Sequence, residues 1–316
     1  MSRYIISRLV LMIPVVLGIT LLSFVVIKML PGDLAVAIVG QETANSNPQV
    51  LETIRAELGL NRPLHEQYLS WLAGMLRGDF GKSLALKTQI LPTILSALPT
   101  TVELALLSVA FGLLAGAPIG VLAATRGGVF DALTRLAVSL GVGVPSFFIA
   151  TLLLLFIAPN MRWIPVFSFA PLTEDPTRNL LSMIFPVISI GTGLAMTIAE
   201  NVRSAVLDVL HENYVTVAHA KGLSQRVVIW RHVLKNAAIP IISVLGLQTG
   251  FLLSGTIIIE TIFSLPGLGK LVVTGINLRD YPLVQGVLLF TAVAVVSINL
   301  ITDLLYAFVD PRIRFR

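Results

Sequence analysis

Six stretches of this chain run for nineteen residues or more without Asp, Glu, Lys or Arg: Leu9–Ile27, Leu104–Thr125, Leu136–Met161, Asn179–Ala199, Asn236–Ile259 and Tyr281–Thr302. A helix rises about 1.5 Å per residue and the hydrocarbon core of a bilayer is about 30 Å thick, so each stretch is long enough to cross, some with tilt. The next longest such run, Thr88–Val102, has fifteen residues and two prolines and is not counted as a span. Charged residues make up 12% of the chain, against about a quarter in a soluble domain. So few charges cannot cover a globular surface in water. The expected fold class is an all-α polytopic membrane protein with six transmembrane helices.

The first run has a signal-peptide flavour, with Arg3 and Arg8 ahead of it and Ala35-Val36-Ala37 behind. It is longer than the usual apolar region of such peptides, and Lys28 and Pro31 intervene, so it is expected to stay as the first helix. Lys and Arg set the orientation. With both termini inside, the short inner segments hold Arg3 and Arg8; Arg126 and Arg135; Arg203, Lys221, Arg226, Arg231 and Lys235; and Arg312, Arg314 and Arg316. The short outer loops hold Arg162 and Arg178, then Lys270 and Arg279. The expectation is N-in and C-in. The net charge of +5 then reflects basic inner loops rather than nucleic-acid binding. With no cysteine, disulfides and thiolate chemistry are excluded.

The expected organisation is a cytoplasmic N-terminus and first helix at 1–30, an extracytoplasmic insert at 31–97 and a five-helix membrane domain at 98–308. That domain contains a cytoplasmic loop at 200–238, and a cytoplasmic tail follows at 309–316. Gly112, Gly116 and Gly120 repeat every four residues in the second span, as do Gly246, Gly250 and Ser254 in the fifth. Such ridges let helices approach closely. They serve either plain packing or a path that opens by small sliding. Pro118, Pro145 and Pro186 would loosen or kink their helices.

Several local matches fail on inspection. Leu76-Arg77-Gly78-Asp79-Phe80-Gly81-Lys82-Ser83 ends like a phosphate-binding loop but lacks its first glycine and a preceding strand. Gly267-Leu268-Gly269-Lys270 lacks the following Ser or Thr. His211-Glu212 opens like a zinc-protease helix, but its fifth position is Val215. His219 and His232 are read as solvated or packed. Glu103, Glu200, Glu260, Asp280 and Asp303 all sit at window edges, so the spans carry no intramembrane charge of the kind an ion-coupled transporter keeps. What remains is a channel or gate with no engine of its own.

The segment Glu212–Pro240 is the candidate for contact with an engine. Val202, Ala205, Val206, Val209 and Leu210 recur at helical spacing before it. A short helix, Asn213–Lys221, then ends at Gly222, the usual residue of a left-handed cap. Lys221, Arg226, Arg231 and Lys235 surround it with positive charge. On these residues alone, the segment either takes force from a soluble motor or rests on anionic lipid headgroups.

Tyr214-Val215, Ala218, Ala220-Lys221-Gly222-Leu223-Ser224, Trp230-Arg231-His232, Leu234, Asn236-Ala237 and Ile239-Pro240 resemble the EAA loop of permease subunits of binding-protein-dependent ABC importers, in the dipeptide, oligopeptide and nickel branch. The similarity extends to Met29-Leu30-Pro31-Gly32-Asp33, Leu58-Gly59-Leu60, Pro63-Leu64, Gly78-Asp79-Phe80-Gly81 with Ser83, and Leu98-Pro99-Thr100-Thr101. It continues through Glu260 with Phe263, Pro266-Gly267-Leu268-Gly269, Arg279-Asp280-Tyr281-Pro282, Asp303-Leu304-Leu305-Tyr306 and Asp310-Pro311-Arg312-Ile313-Arg314. It therefore covers essentially the whole chain. Thr216 and Val217 stand where the motif's glutamate and first alanine would be, and the gap from Gly222 to Pro240 is longer than in the general importer pattern.

The resemblance implies a type I ABC importer permease fold. It also implies a coupling role for Thr216, Val217, Ala218, His219, Ala220, Lys221, Gly222, Leu223 and Ser224, which would sit in a groove of an ATP-hydrolysing partner. The partners it implies are a second homologous permease subunit, two ATP-binding subunits on the cytoplasmic side and an extracytoplasmic solute-binding protein. This chain would bind no cofactor and catalyse no bond breakage, and ATP and Mg would be used by the partner ATPases. The location implied is the bacterial cytoplasmic (inner) membrane. Short peptides are the expected substrate, with nickel complexes, glutathione or oligosaccharides as alternatives in the branch. An ion-coupled secondary transporter and a membrane scaffold are the rival classes.

Overall fold

The computed structural model describes residues 2–29, 35–36, 46–57, 59–161, 163–236, 248 and 256–309. Among them, regular structure is helical, apart from one isolated antiparallel bridge between Lys82 and Gln89. The helices are α1 Ser2–Met29, α2 Pro48–Glu57, α3 Leu64–Leu76, α4 Ile90–Arg126, α5 Gly128–Gly143, α6 Ser146–Leu152, α7 Pro176–Leu210, α8 Asn213–Ala220, α9 Gln225–Val227, α10 Ile257–Ile262, α11 Leu268–Asn277 and α12 Tyr281–Val309. Two of them change pitch. α6 runs on as a π-helical turn, Leu153–Ile157, and a 3-10 turn, Ala158–Asn160; α9 runs on as a π-helical turn, Val228–Val233.

Three helices among the described residues are long and apolar enough to cross a membrane: Ile90–Arg126, Pro176–Leu210 and Tyr281–Thr302. A fourth span results if Gly128–Gly143 and Ser146–Asn160 count as one, bent by 94°. The bend falls at Val144-Pro145, where Val144 is extended with ψ 119°, as the residue before a proline prefers. A shorter apolar stretch, Val10–Val26, lies in α1. The expected fifth span, Asn236–Ile259, falls mostly outside the described residues.

The helices outrun the charge-free windows. α4 has 37 residues and is about 55 Å long at 1.5 Å per residue. It absorbs most of the Thr88–Val102 run, with Pro92 in its first turn, where a missing N–H is harmless. α7 starts at Asp175, whose carboxylate accepts a hydrogen bond from the Arg178 N–H at 3.0 Å, with Pro176 at the first helical position.

The chain divides into two compact units, Met1–Ile6 with Thr100–Leu265 and Val295–Arg316, and Ser7–Pro99 with Pro266–Ala294. The first has two apolar clusters. In one, Leu194, Ile198, Val202, Ala205 and Val206 of α7 meet Val215 and Ala218 of α8 and Val228 and Val233 of the π turn. In the other, Leu104, Ala150, Met183, Phe185 and Ile190 surround Ile259, Phe263 and Leu265.

The second unit packs Ile90, Ile94 and Ala97 against Leu268, Val272, Leu283 and Val287. It also stacks Phe24 edge-on to Tyr68 at 5.5 Å and beside Trp71. Thr20 shares a 2.8 Å hydrogen bond with the Tyr68 hydroxyl. This hydroxyl–phenol bond fixes one face of α1 against α3.

Candidate coupling site

The loop residues singled out by sequence fall on one short helix and its cap. Thr216, Val217, Ala218, His219 and Ala220 lie in α8; Lys221, Gly222, Leu223 and Ser224 follow it. The helix has two faces. Val215 and Ala218, three residues apart, are buried in the α7 cluster. Thr216, Val217, Ala220, Lys221, Gly222, Leu223 and Ser224 are exposed. Of the His219 side chain nothing is described.

Gly222 has φ +80°, and a Cβ built there would meet no described atom within 4 Å. Leu223 N–H donates to the Ala218 carbonyl at 3.3 Å, the six-residue closure of a helix ended by a left-handed glycine. The chain then reverses into the basic return segment. Tyr214, at the start of α8, accepts a hydrogen bond through its hydroxyl from Asn236 Nδ2 at 2.8 Å. The same nitrogen donates to the His232 carbonyl at 2.9 Å, so the two ends of the loop are tied together.

Behind α8 stands α7, and α7 is held by two devices. Arg203 forms a forked pair with Asp131 of α5, through Nε to Oδ1 and through Nη2 to Oδ2 at 2.8 Å. Arg135 approaches the same carboxylate at 3.5 Å. The second device is the glycine ridge of α4. A Cβ on Gly112 would lie 2.7 Å from Leu194 Cγ, one on Gly116 2.2 Å from the Ala195 carbonyl oxygen, and one on Gly120 2.4 Å from the Ala199 carbonyl oxygen. α7 returns the favour at Gly191, where a Cβ would come within 2.5 Å of Phe111 Cδ1. In lipid there is little gain from merely hiding apolar side chains, so backbone approach of this kind is what makes helix pairs adhere. Gly246, Gly250 and Ser254 lie outside the described residues.

Three buried polar arrangements escaped the sequence reading, which had only placed their acids at window edges or within motifs. Glu260 is fully buried and accepts from Thr101 Oγ1 at 2.8 Å and Thr256 Oγ1 at 2.9 Å. Asn179 Nδ2 donates to Glu103 Oε2 at 3.2 Å and to the Ala170 carbonyl at 3.0 Å. Asp280 is 1% exposed. It accepts from the Ser83 hydroxyl, from Ala85 N–H at 3.0 Å and from Leu283 N–H at 3.2 Å. Its pairing with Ser83 joins the Gly78–Ser83 and Arg279–Pro282 motifs, and it shows that the phosphate-loop likeness is accidental: the Ser83 hydroxyl is occupied by a carboxylate.

Removing that carboxylate strands three donors, two of them in buried hydrogen bonds, and hydrogen bonds to a charged group are worth about 1.5–3 kcal/mol each at most. Asp280→Ala is expected to lower the melting temperature of the detergent-solubilised chain measurably, and Asp280→Asn to lower it less. Equal melting of all three proteins would refute the assignment. Among the described residues no cluster of His, Cys, Asp or Glu could hold a metal ion.

Residues 116–315 match the family model of the binding-protein-dependent transport system inner membrane component, and residues 1–105 match the N-terminal model of the same membrane component. The chain is 36% identical over 316 residues to the probable peptide ABC transporter permease protein y4tP of Sinorhizobium fredii (strain NBRC 101917 / NGR234), covering 100% of both chains. It is also 36% identical over 340 residues to the dipeptide transport system permease protein DppB of Alkalihalophilus pseudofirmus, again covering 100% of both. Among solved structures, a chain of the inward-facing MetNI methionine ABC transporter matches with a TM-score of 0.55 and 17% identity, covering 69% of this chain and 96% of that one; this likeness concerns the fold alone.

The chain therefore belongs to the family of binding-protein-dependent transport system inner membrane components. It is a multi-pass membrane permease subunit of an ABC importer and not itself an enzyme; ATP hydrolysis belongs to separate subunits.

Proposed function

We propose that this permease forms half of an ATP-driven import path for short peptides. The observation that carries the substrate class is full-length identity of 36% to permeases named for peptides and dipeptides. The reading extends to six spans with both termini inside, in a bacterial inner membrane. A second, different permease chain would complete the path, two ATP-binding subunits would dock inside, and a solute-binding protein would deliver peptide outside. ATP and Mg would stay with the ATP-binding subunits.

In this reading α8 is the lever. Its exposed residues Thr216, Val217 and Ala220, with Lys221 to Ser224 just after it, enter the ATP-binding subunit. Its buried face, Val215 and Ala218, passes displacement to α7, and the glycine-lined contact of α7 with α4 passes it on to the path. ATP binding draws the two levers together and opens the path outward; hydrolysis and release reset it.

The test is uptake by the importer reconstituted with its ATP-binding and solute-binding partners. Labelled di- and tripeptides are expected to accumulate with ATP, and an ion gradient alone is expected to drive nothing. Accumulation of a nickel complex or an oligosaccharide with no peptide uptake would overturn the substrate class. Uptake driven by a gradient without the ATP-binding subunits would overturn the mechanism.

A further inference from the structure

The return segment after Gly222 does something the lever reading does not use. In an α-helix, residues five apart point about 140° away from each other. Between Val228 and Val233 the chain is a π-helical turn, whose wider i→i+5 pitch brings residues five apart round to the same side instead. Val228 and Val233 accordingly share the inner side and are both fully buried in the α7 cluster. Flanking and within the turn, Arg226, Trp230, Arg231 and Lys235 are all exposed. Trp230 is 69% exposed, a large apolar ring standing among three cations.

Two further observations say what covers this surface. From Asn213 to Ile259 the chain contains no Asp or Glu, so no acid along this stretch offsets the three cations. And the segment directly precedes the uncharged run that starts at Asn236. On the proposed fifth span, which begins at Asn236, Trp230 and Arg231 would lie within two helical turns of the hydrocarbon boundary, the depth at which tryptophan rings and basic side chains settle. An anionic phospholipid supplies both: a phosphate for the cations and, beneath it, an acyl region for the indole.

We propose that Arg226, Trp230, Arg231 and Lys235 form a binding site for anionic phospholipid headgroups. The two sides of the loop then divide the work: the exposed face of α8 meets the ATP-binding subunit, and the outer face of the π turn is moored in the headgroup layer. The mooring gives the lever a fixed point, so that displacement of α8 turns the segment instead of carrying it along.

The experiment uses the assembled importer, wild type and the triple variant R226Q/R231Q/K235Q, in nanodiscs of phosphatidylcholine alone or mixed with phosphatidylglycerol. Native mass spectrometry of the released complex is expected to find phosphatidylglycerol retained over phosphatidylcholine by about fivefold or more in wild type, and by a ratio near one in the triple variant. Binding-protein-stimulated ATP hydrolysis is expected to rise with phosphatidylglycerol in wild type only. W230A is expected to weaken retention while keeping the preference for the anionic lipid. Equal lipid preference in wild type and triple variant overturns the proposal. So does loss of the ATP-binding subunits from the triple variant in lipid-free detergent, which would make this face a protein contact. Peptide uptake by wild type in either lipid separates failure here from failure of the import reading.

Discussion

Gly222→Val cuts import to below about a tenth of wild type, and Gly222→Asn retains most of it. The reason is conformational. At φ +80° a residue with a Cβ pays about 1–2 kcal/mol, and a β-branched one more, while Asn tolerates this region. Among the described residues no atom lies within 4 Å of the added Cβ, so the cost is one of backbone conformation. Valine relaxes by leaving the left-handed region. That breaks the Leu223 to Ala218 closure and swings the exposed end of α8 away from where a partner groove would receive it. Copurification of the ATP-binding subunits and peptide uptake should fall together. A valine variant that keeps both at wild-type level would remove Gly222 from the coupling role.

Gly116→Leu has the largest effect on the chain itself. Its Cβ alone would sit 2.2 Å from a backbone oxygen of α7, which no rotamer change can move. Overpacking of cores costs about 1–3 kcal/mol and more where backbone must shift. The expected outcome is a chain that melts many degrees lower in detergent and fails to assemble with its partners. Gly18→Ala is the matched control: in α1 no described atom lies within 4 Å of the new methyl, and helix propensity improves by about 0.5–1 kcal/mol. A Gly116→Leu chain as stable as this control would show that α4 and α7 do not depend on their close approach.

Much of this architecture is legible in the sequence because lipid imposes a blunt rule on charge. The windows Leu104–Thr125, Asn179–Ala199 and Tyr281–Thr302 each fall inside a long helix. The helices run past them, α4 starting at Ile90 where the window starts at Leu104, since a window stops at an acid or base whereas a helix backbone does not. Glu103 stays within α4 because Asn179 meets it, and Arg203 stays within α7 because Asp131 meets it.

Pro145 announced a bend, yet not its size. The π turn at 228–233 left no trace in hydropathy, because it changes which residues share a face and not which residues are apolar. The left-handed conformation of Gly222 was readable, since few residues other than glycine end a helix that way. The union of Ser83 with Asp280 was not, because a hydrogen bond between residues 197 apart has no periodicity to betray it.

That long reach has a consequence for synthesis. Ile90, Ile94 and Ala97 leave the ribosome early, but the residues that cover them, Leu268, Val272, Leu283 and Val287, emerge only after all of 100–265 has been made. Until then the early half of this unit waits as an open apolar face with Ser83 unpaired. The closing of Asp280 onto Ser83 and Ala85 therefore requires that translation has passed residue 280. A nascent chain arrested before residue 266 would therefore lack every one of these later partners and leave Ile90, Ile94 and Ala97 uncovered by them.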